Sequence, residues 1–472
     1  MDAPKKVKVR EVRLYSRPAS LRMPFHFGNA KIEYLECALL RTIVEDEHGT
    51  SIPGIGATIF SPMWFEKNPE KSFEERQRAL EDSIAQAARL YQSHDGAPAW
   101  KLHQEIENET RRINTNKRFN DLTAGFGCAL LDSAVIDAVC RATDQGIRGA
   151  ITTNSLGLGP ELPTLLPETP PKSLNVRHTL GLVDALQNSE LSDPLKDGLP
   201  QSLEEVIDEY GIRWFKLKIS ADTEAVLARL REVSVILNKK LGIGNYQVTI
   251  DANEAFHTPV DFLSFLDEYE GDQALATLRK QVLWIEQPLH RDNALKEDLA
   301  EELHRMNSRI PVIIDESNGT DDAFEKAITL GYRGVSAKNC KGPFRTLKNF
   351  EIIQRHNSQS PENPLYLSSE DLTNLPVLPL HQDLCVAGTL GISHTERNGH
   401  HFVKGLEFLE LEESRWALEN YPELYVNSDT GCPHIRIENG AINVDRILET
   451  GYGGDFEPAW SLLDEIQLNN AN

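Results

Sequence analysis

The chain has 472 residues, of which 40% are hydrophobic and 26% charged, an ordinary balance for a globular protein with a large core. Its formal net charge of -23 argues against a nucleic-acid partner, because phosphate binding requires a basic face. Long apolar runs, the apolar core of a signal peptide and zinc-type cysteine spacing are all missing from the sequence, so we expect a cytoplasmic protein with reduced thiols and no membrane partner.

The N-terminal region predicts an α+β unit over residues 1–145. Its first part alternates polar and apolar side chains around a D-E-H-G turn, which is typical of an antiparallel meander. Apolar residues then recur at helical spacing from Phe73 to Gln92 and from Ala124 to Gln145. A Pro-rich stretch from Pro163 to Leu174 predicts an extended segment leading into the next domain.

The middle of the chain, residues 146–405, predicts a barrel. Short apolar runs alternate there with amphipathic helical stretches, and the runs are HTLGLV, WFKLKIS, YQVTIDAN, VLWIEQPL, PVIIDES, GVSAKNC, PLYLSSE and GISHTE. Strands alternating with helices indicate parallel βαβ units, and these runs are as many as a (β/α)8 barrel requires. A doubly wound open sheet is the alternative, but no G-x-G-x-x-G opens the first crossover.

Residues 406–472 form an irregular tail. The segment HIRIENGAINV predicts a hairpin with a turn at Asn439 and Gly440. We expect this hairpin to lie outside the barrel and to pack on the N-terminal unit, so that the N-terminal region and the tail together form a capping domain.

Charged residues end most of the predicted barrel strands. All strands of a parallel barrel point their C-terminal ends at the same mouth, which holds the active site. Successive members of the series are about one βα unit apart, so we expect them to converge. The series is Lys216 and Lys218, then Asp251, Glu286, Asp315 and Lys338.

The three carboxylates of this series predict a Mg2+ site. Converging carboxylates repel one another, and a hard divalent cation with oxygen ligands removes that cost. Such an ion polarises a substrate carboxylate and stabilises the dianion formed when the α-proton leaves. A single acidic residue after a strand is usually a helix cap or a solvated loop residue. The order of the whole set favours Asp251, Glu286 and Asp315 as metal ligands.

The lysines predict proton transfer. Lys216 and Lys218 alternate along one strand and so point the same way, and two close like charges lower each other's pKa, which makes one of them a base. Lys338, four strands further round, is placed to reach the opposite face of the same carbon. The ordinary alternative for a K-x-K pattern is a surface-exposed strand face.

These residues resemble the enolase superfamily, and within it the muconate-lactonising enzyme, dipeptide epimerase and o-succinylbenzoate synthase group of the mandelate racemase/muconate lactonizing enzyme family. The matching segments are FKLKIS, VTIDANEAF, LWIEQPL, VIIDES and SAKNCKG, and the likeness extends over the cap and the tail. The resemblance implies Mg2+ at the three carboxylates and an acid/base pair of Lys218 and Lys338. Lys216 would tune Lys218 or touch the substrate carboxylate.

The resemblance also implies substrate contacts. Asn253 follows the first metal ligand, and the cap loop from Met23 to Asn29 supplies Phe25 and Phe27 as specificity contacts. Glu370 is either a site residue of the seventh strand or a solvated loop carboxylate. The mandelate-racemase branch has a histidine base at the end of strand seven, and this chain lacks it. Dipeptide epimerases have an Asp-x-Asp near strand eight, where this chain has the segment His394-Thr395-Glu396. A histidine such as His394 is more often a packed or solvent-facing side chain than a catalyst.

The expected function is therefore that of a racemase, epimerase or cycloisomerase acting on a small-molecule carboxylate. A lyase is the alternative, either an acid-sugar dehydratase or an elimination of the o-succinylbenzoate synthase type, because one base suffices there. A non-catalytic binding barrel is a further alternative, since fold alone does not establish activity. A homo-oligomer would be unsurprising for this family.

Overall fold

The computed structural model of the chain describes residues 3–27, 30–114, 118–429 and 431–468, and at positions 26, 27 and 30 the backbone alone. The N-terminal region forms the predicted antiparallel meander, in which β1 (Lys6–Phe27), β2 (Ala30–Asp46) and β3 (Ser51–Phe60) pair in chain order. The turn after β2 is held by Asp46, whose carboxylate accepts hydrogen bonds from the backbone N–H groups of His48 and Thr50. A short strand, β4 (Ala97–Pro98), adds to β1.

Four helices complete this cap: α1 (Pro62–Phe65), α2 (Phe73–Ser93), α3 (Ala99–Ile113) and α4 (Asp121–Thr143). The two predicted helices are α2 and α4. Helix α2 begins with a capping box in which Ser72 and Glu75 exchange hydrogen bonds, a motif worth about 1 kcal/mol. Helix α3 was not predicted, because its buried face includes the polar residues His103 and Glu107.

Helix α4 is the core of the cap and packs tightly on β3. A Cβ atom added at Gly54 would lie 2.1 Å from the backbone oxygen of Ala134, so only glycine permits this approach. Within the described residues, α4 alone is long and apolar enough to qualify as a membrane span. Its apolar window is 100% buried inside the protein, as expected of a core helix.

The middle of the chain forms a closed parallel barrel. Its strands in chain order are β5 (Ser173–Leu180), β6 (Trp214–Lys218), β7 (Gln247–Asp251), β8 (Val282–Glu286), β9 (Val312–Ile314), β10 (Gly334–Ala337), β11 (Tyr366–Ser369) and β12 (His394–Arg397). Each strand pairs with the next, and β12 pairs back with β5. The (β/α)8 barrel is confirmed, and the open-sheet alternative is wrong because the sheet closes.

Helices precede the barrel, connect its strands and follow the last strand. They are α5 (Ile147–Thr152), α6 (Leu162–Leu165), α7 (Leu203–Tyr210), α8 (Thr223–Leu241), α9 (Pro259–Gly271), α10 (Ala276–Arg279), α11 (Arg291–Ala294), α12 (Ala300–Arg309), α13 (Ala323–Thr329), α14 (Pro343–Gln359), α15 (Leu378–Thr389) and α16 (Gly399–Phe402). Several begin at a side-chain cap, as Asp222 does for α8 and Thr258 for α9. This regular alternation explains why the barrel was readable from its apolar runs.

The tail contains α17 (Leu411–Asn420), β13 (Tyr425–Asn427), β14 (Pro433–Ile435), β15 (Ala441–Asn443) and β16 (Asp464–Ile466). The expectation that its hairpin segment lies outside the barrel is wrong for β15, which pairs antiparallel with the first residues of β5. Because β6 pairs with β5 only from Arg177 onward, the beginning of β5 is available to β15, and Leu174 and Ile442 are fully buried there. Strand β16 pairs with β1, so the end of the tail contacts the cap.

Candidate active site

The C-terminal ends of five neighbouring strands carry the charged side chains of the series to one mouth of the barrel. Lys218 ends β6, Asp251 ends β7 and Glu286 ends β8. Asp315 and Lys338 directly follow β9 and β10. The register pairs Lys218 with Asp251, and Asp251 with Glu286. Neighbouring strands in register therefore bring these charges together at the end of a barrel where active sites lie.

A cavity of about 50 Å3 lies between this mouth and the cap. Its wall includes the side chains of Lys218, Lys338 and Asn253 from the barrel, with Phe25 and Trp64 from the cap. Apolar side chains thus face two amines and an amide across a small space. This combination is what recognition of a small polar molecule with an apolar part requires.

Lys218 is held by two oxygen atoms. Its Nζ donates to Asp251 Oδ2 at 2.6 Å and to Asn253 Oδ1 at 2.7 Å. About 18% of the Lys218 side chain is exposed, whereas Asp251 is fully buried. Asn253, which was predicted as a substrate contact, lines the cavity and also orients the amine of Lys218.

Lys338 is more tightly enclosed. Its Nζ donates to Asp315 Oδ2 at 2.5 Å and lies 4.7 Å from the centroid of the Trp64 ring. Burial alone lowers the pKa of Lys338, but the Asp315 carboxylate outweighs it and raises that pKa well above its ordinary value. Lys341 donates to the other Asp315 oxygen at 2.7 Å. Lys338 is therefore an ammonium group in this arrangement.

Lys216 has a different environment from Lys218. It is fully buried, and burial alone would lower its pKa. Four carboxylates reverse that effect and raise the pKa of Lys216 well above its ordinary value. The expected lowering by a neighbouring lysine is therefore wrong for Lys216, because opposite charges dominate its surroundings. Its carboxylate neighbours are Asp251, Glu286, Glu370 and Glu396.

Glu286 is a buried carboxylate that lacks hydrogen bonds. Neither of its oxygens accepts one from any described residue, although Oε2 lies 2.9 Å from Lys216 Nζ. Burial and the negative charge of Asp251 raise the pKa of Glu286 well above its ordinary value. For Asp251 the balance is the opposite. Burial raises the pKa of Asp251, but the ammonium groups of Lys216 and Lys218 outweigh burial and lower that pKa to about 2. A cation bound beside Glu286 would favour the ionised form of this carboxyl group.

The donor set fits a divalent cation. Asp251, Glu286 and Asp315 present carboxylate oxygens from three neighbouring strands, the ligand type that Mg2+ prefers. Among the described residues, no three acidic, His or Cys side chains are already grouped closely enough to hold a metal ion. Instead, Lys216 bridges Asp251 and Glu286 at 2.9 Å from each, and Lys338 occupies one oxygen of Asp315. The carboxylates are therefore engaged by ammonium groups in this structure.

Glu370 lies in a buried ionic cluster and not in the cavity wall. It accepts hydrogen bonds from Arg177 and Lys216 and is 1% exposed, so the interpretations as a substrate contact and as a solvated loop residue are both unsupported. Arg177 Nη1 also lies 2.6 Å from His394 Nδ1. His394 stacks on Trp214 with ring centroids 4.1 Å apart. His394 is therefore a packed side chain.

The cap residues in the cavity wall include the predicted Phe25 and the unpredicted Trp64, beside Ile32, Ser61 and Met63. Phe25 lies in its wall, as expected of the cap loop. The side chain of Phe27, predicted with it, lies outside the described residues. Trp64 was not predicted, although the adjacent aromatic residues Trp64 and Phe65, soon after β3, were a signal for it. Its Nε1 donates to Glu316 Oε1 at 3.1 Å, and Glu316 directly follows a predicted metal ligand.

Part of the barrel matches a known family in sequence. Residues 199–398 match the family described as Enolase C-terminal domain-like. No curated protein is significantly similar in sequence to the chain.

Solved structures share the whole architecture. An enolase from Bradyrhizobium, complexed with magnesium and mandelic acid, is 13% identical with a TM-score of 0.60, and the match covers 97% of each chain. The N-succinyl Arg/Lys racemase from Bacillus cereus is 15% identical with a TM-score of 0.61, over 98% of this chain and 100% of that one. The muconate lactonizing enzyme from Pseudomonas fluorescens, complexed with muconolactone, is 14% identical with a TM-score of 0.59, over 95% of this chain and 97% of that one. At such identities the agreement establishes a common fold.

Proposed function

We propose that this chain is a member of the enolase superfamily that removes the α-proton of a small carboxylate substrate with the help of Mg2+. The match of residues 199–398 to the family described as Enolase C-terminal domain-like supports this membership. We further propose a racemase, epimerase or cycloisomerase reaction with Lys218 and Lys338 as the acid/base pair. The observation that carries the proposal is that both amines line one cavity at the barrel mouth.

The placement of the two lysines supports chemistry on two faces of a substrate. Lys218 stands on β6 and Lys338 follows β10, and β7, β8 and β9 separate these strands around the barrel. A planar carbon bound between them presents one face to each amine. An amine that accepts a proton on one face and an ammonium group that returns one on the other are sufficient for racemisation, and no further reactant is needed.

A divalent cation supplies electrostatic stabilisation when it is bound by Asp251, Glu286 and Asp315, because it lowers the energy of the charge that develops on the substrate carboxylate. The buried Glu286 carboxylate without hydrogen bonds supports this assignment. The Bradyrhizobium enolase and a dipeptide epimerase from Enterococcus faecalis are both complexed with magnesium.

The chain's own residues have separate tasks. Asp251 and Asn253 orient the Lys218 amine, and Asp315 orients that of Lys338. Trp64 in the cavity wall limits the access of water to the reacting carbon.

The test is solvent-deuterium exchange. The protein with Mg2+ is incubated in D2O with mandelate, N-succinyl amino acids, dipeptides and muconolactone, and loss of the α-proton signal is followed by proton NMR. We expect exchange with at least one class of acid. Lys218→Ala and Lys338→Ala should each abolish exchange of one stereoisomer.

A matched control for these variants is Lys240→Ala. Lys240 lies on α8 and pairs with Asp208 on α7, so its loss should leave exchange unchanged. Absence of exchange with every acid in the wild-type protein would contradict the proposal.

A lyase is a second candidate, and the environment of Lys338 favours it. Asp315 and the Trp64 ring hold Lys338 as an ammonium group, which suits a fixed positive charge better than a base. In that case Lys218 alone removes the proton. Lys218→Ala should then abolish turnover, whereas Lys338→Ala should only slow it or weaken substrate binding.

A further inference from the structure

A cap lysine contacts the loop that follows β7. Lys67 lies between α1 and α2, and its Nζ donates a hydrogen bond to the backbone oxygen of Asn253 at 3.0 Å. The same Nζ lies 2.5 Å from a Glu254 carboxylate oxygen and 3.8 Å from Glu316. Only 22% of the Lys67 side chain is exposed. The cap therefore places a positive charge on the turn directly beyond the predicted metal ligand of β7.

This turn has a strained backbone. Asn253 and Glu254 have φ angles of 43° and 69°, in the left-handed region that residues with side chains rarely adopt. Such a backbone conformation is unfavourable and persists only where its surroundings hold it. Lys67 holds the turn from the cap, and Arg291 holds it from the barrel through Glu254, at 2.8 Å.

The side chain of Asn253 connects the turn to Lys218. Its Oδ1 accepts the hydrogen bond from Lys218 Nζ, and its Nδ2 donates to Glu316 Oε1 at 3.3 Å. Glu316 Oε1 also accepts from Trp64 Nε1 at 3.1 Å. Because Glu316 binds the amide nitrogen, the amide oxygen faces Lys218.

We propose that Lys67 and Glu316 are positioning residues for Lys218, acting through Asn253. Lys67 fixes the backbone of the turn, Glu316 fixes the orientation of the Asn253 amide, and the amide oxygen then holds the amine at the cavity. The inference extends the proposed function, because Lys218 is the acid/base of that reaction. Its consequence is that the geometry of Lys218 depends on a residue supplied by the cap.

The test uses the chemical reactivity of Lys218, which needs no substrate. The full-length protein is treated with acetic anhydride at a fixed pH, and acetylation of the peptide containing Lys218 is followed by mass spectrometry. An amine held by two hydrogen bonds is less available to the reagent, so a Lys218 amine that loses one acceptor reacts faster. We expect Lys67→Met to raise the acetylation rate of Lys218 about two- to tenfold, the range that corresponds to one lost hydrogen bond.

Lys71→Met is the matched control, since Lys71 lies in the same cap segment and pairs with Glu66 instead of the turn. It should change the rate less than twofold. Lys67→Arg should restore a rate near that of the wild type, because a guanidinium group can serve the same oxygens. A slower or unchanged rate in Lys67→Met would overturn the proposal.

A double-mutant cycle tests the route through Asn253. In an Asn253→Ala background, Lys67→Met should have no further effect on Lys218, because the connecting amide is gone. Additive effects would show that Lys67 acts by another route and would refute the inference. Glu316→Ala is a second probe and should raise the acetylation rate of Lys218, as Lys67→Met does. Glu316→Gln is its control, because glutamine keeps an acceptor oxygen for the Asn253 amide.

Activity gives an independent readout. If the wild-type protein exchanges an α-proton, Lys67→Met should slow exchange of the stereoisomer served by Lys218 more than that of the other. If no acid exchanges, the proposed function fails, but the acetylation rates still decide whether Lys67 positions Lys218.

Discussion

The Lys338 ammonium group lies 4.7 Å from the centroid of the Trp64 ring, so that a barrel side chain and a cap side chain meet at the wall of the cavity. A cation held over an indole ring and shielded from water is stabilised by about 2 kcal/mol. The contact keeps Lys338 charged and keeps its amine directed at the cavity.

Trp64→Leu should therefore impair the step that depends on Lys338. We expect about a thirtyfold loss of exchange for the corresponding stereoisomer, because the contact contributes about 2 kcal/mol and each 1.4 kcal/mol corresponds to about tenfold. Trp64→Phe is the control that keeps a ring over Lys338 and loses only the hydrogen bond to Glu316. The two variants are compared by proton NMR in D2O, and equal losses would show that the ring itself is unimportant.

Replacement of Lys216 should destabilise the fold much more than replacement of Lys218. Lys216 is fully buried among four carboxylates, and removing one partner of a buried ionic cluster costs about 3–5 kcal/mol. Lys218 is partly exposed, so Lys218→Met should cost about 1 kcal/mol or less. Urea unfolding followed by circular dichroism measures both. Similar losses for Lys216→Met and Lys218→Met would contradict the structure.

Added Mg2+ should stabilise the protein through Glu286. A ligand that binds only the folded state at 100 times its Kd raises the free energy of unfolding by about 2.7 kcal/mol. Thermal unfolding with increasing Mg2+ should therefore show a rising Tm. Glu286→Gln should abolish most of that rise, whereas Glu301→Gln, at an exposed position on α12, should leave it intact. A Tm that does not respond to Mg2+ would remove the metal assignment.

The stability of the cap should depend on pH through His103. This α3 residue binds Asp132 at 2.8 Å and Asp321 at 3.1 Å. Burial alone would lower its pKa, but the two carboxylates raise the pKa of His103 to about 10. Since the pKa in the unfolded chain is about 6.5, the protonated histidine contributes its full stabilisation below about pH 6.5 and loses it as the pH rises through about 10.

The measurement for His103 is the difference in unfolding free energy between the wild-type protein and His103→Gln at several pH values. We expect a difference on the order of a few kcal/mol at pH 6 that shrinks toward pH 10. A difference that stays constant over this range would mean that the histidine is neutral in the folded protein.

Local sequence was sufficient to place most of the candidate site. Three of the site residues, Lys218, Asp251 and Glu286, each end a strand with a short, clear apolar run. The handedness and register of a parallel barrel then place their side chains at the same mouth. The metal and acid/base roles of these residues stay predictions. Their positions at one mouth follow from the pairing of strands that are neighbours in the chain.

Contacts between distant segments account for what the sequence did not reveal. Lys216 and Glu370 are 154 residues apart, and only the closed barrel brings them together, so the raised pKa of Lys216 had no local signal. Trp64 and Lys67 of the cap contact Glu316 and Asn253 of the barrel. No spacing rule in the sequence relates these cap residues to the barrel residues that they contact. The pairing of β15 with β5 likewise depends on how far β5 extends beyond its neighbour, which an apolar pattern does not specify.

The two late pairings of the tail also bear on how the protein is made. Strand β15 covers the beginning of β5, and β16 covers one side of β1, yet each is synthesised long after the strand that it covers. Until β15 and β16 have been synthesised, the backbone groups of β5 and β1 that they pair with lack these hydrogen-bonding partners. Nascent chains stalled before residue 441 should therefore be unusually prone to self-association and dependent on chaperones, because open strand edges recruit other strands.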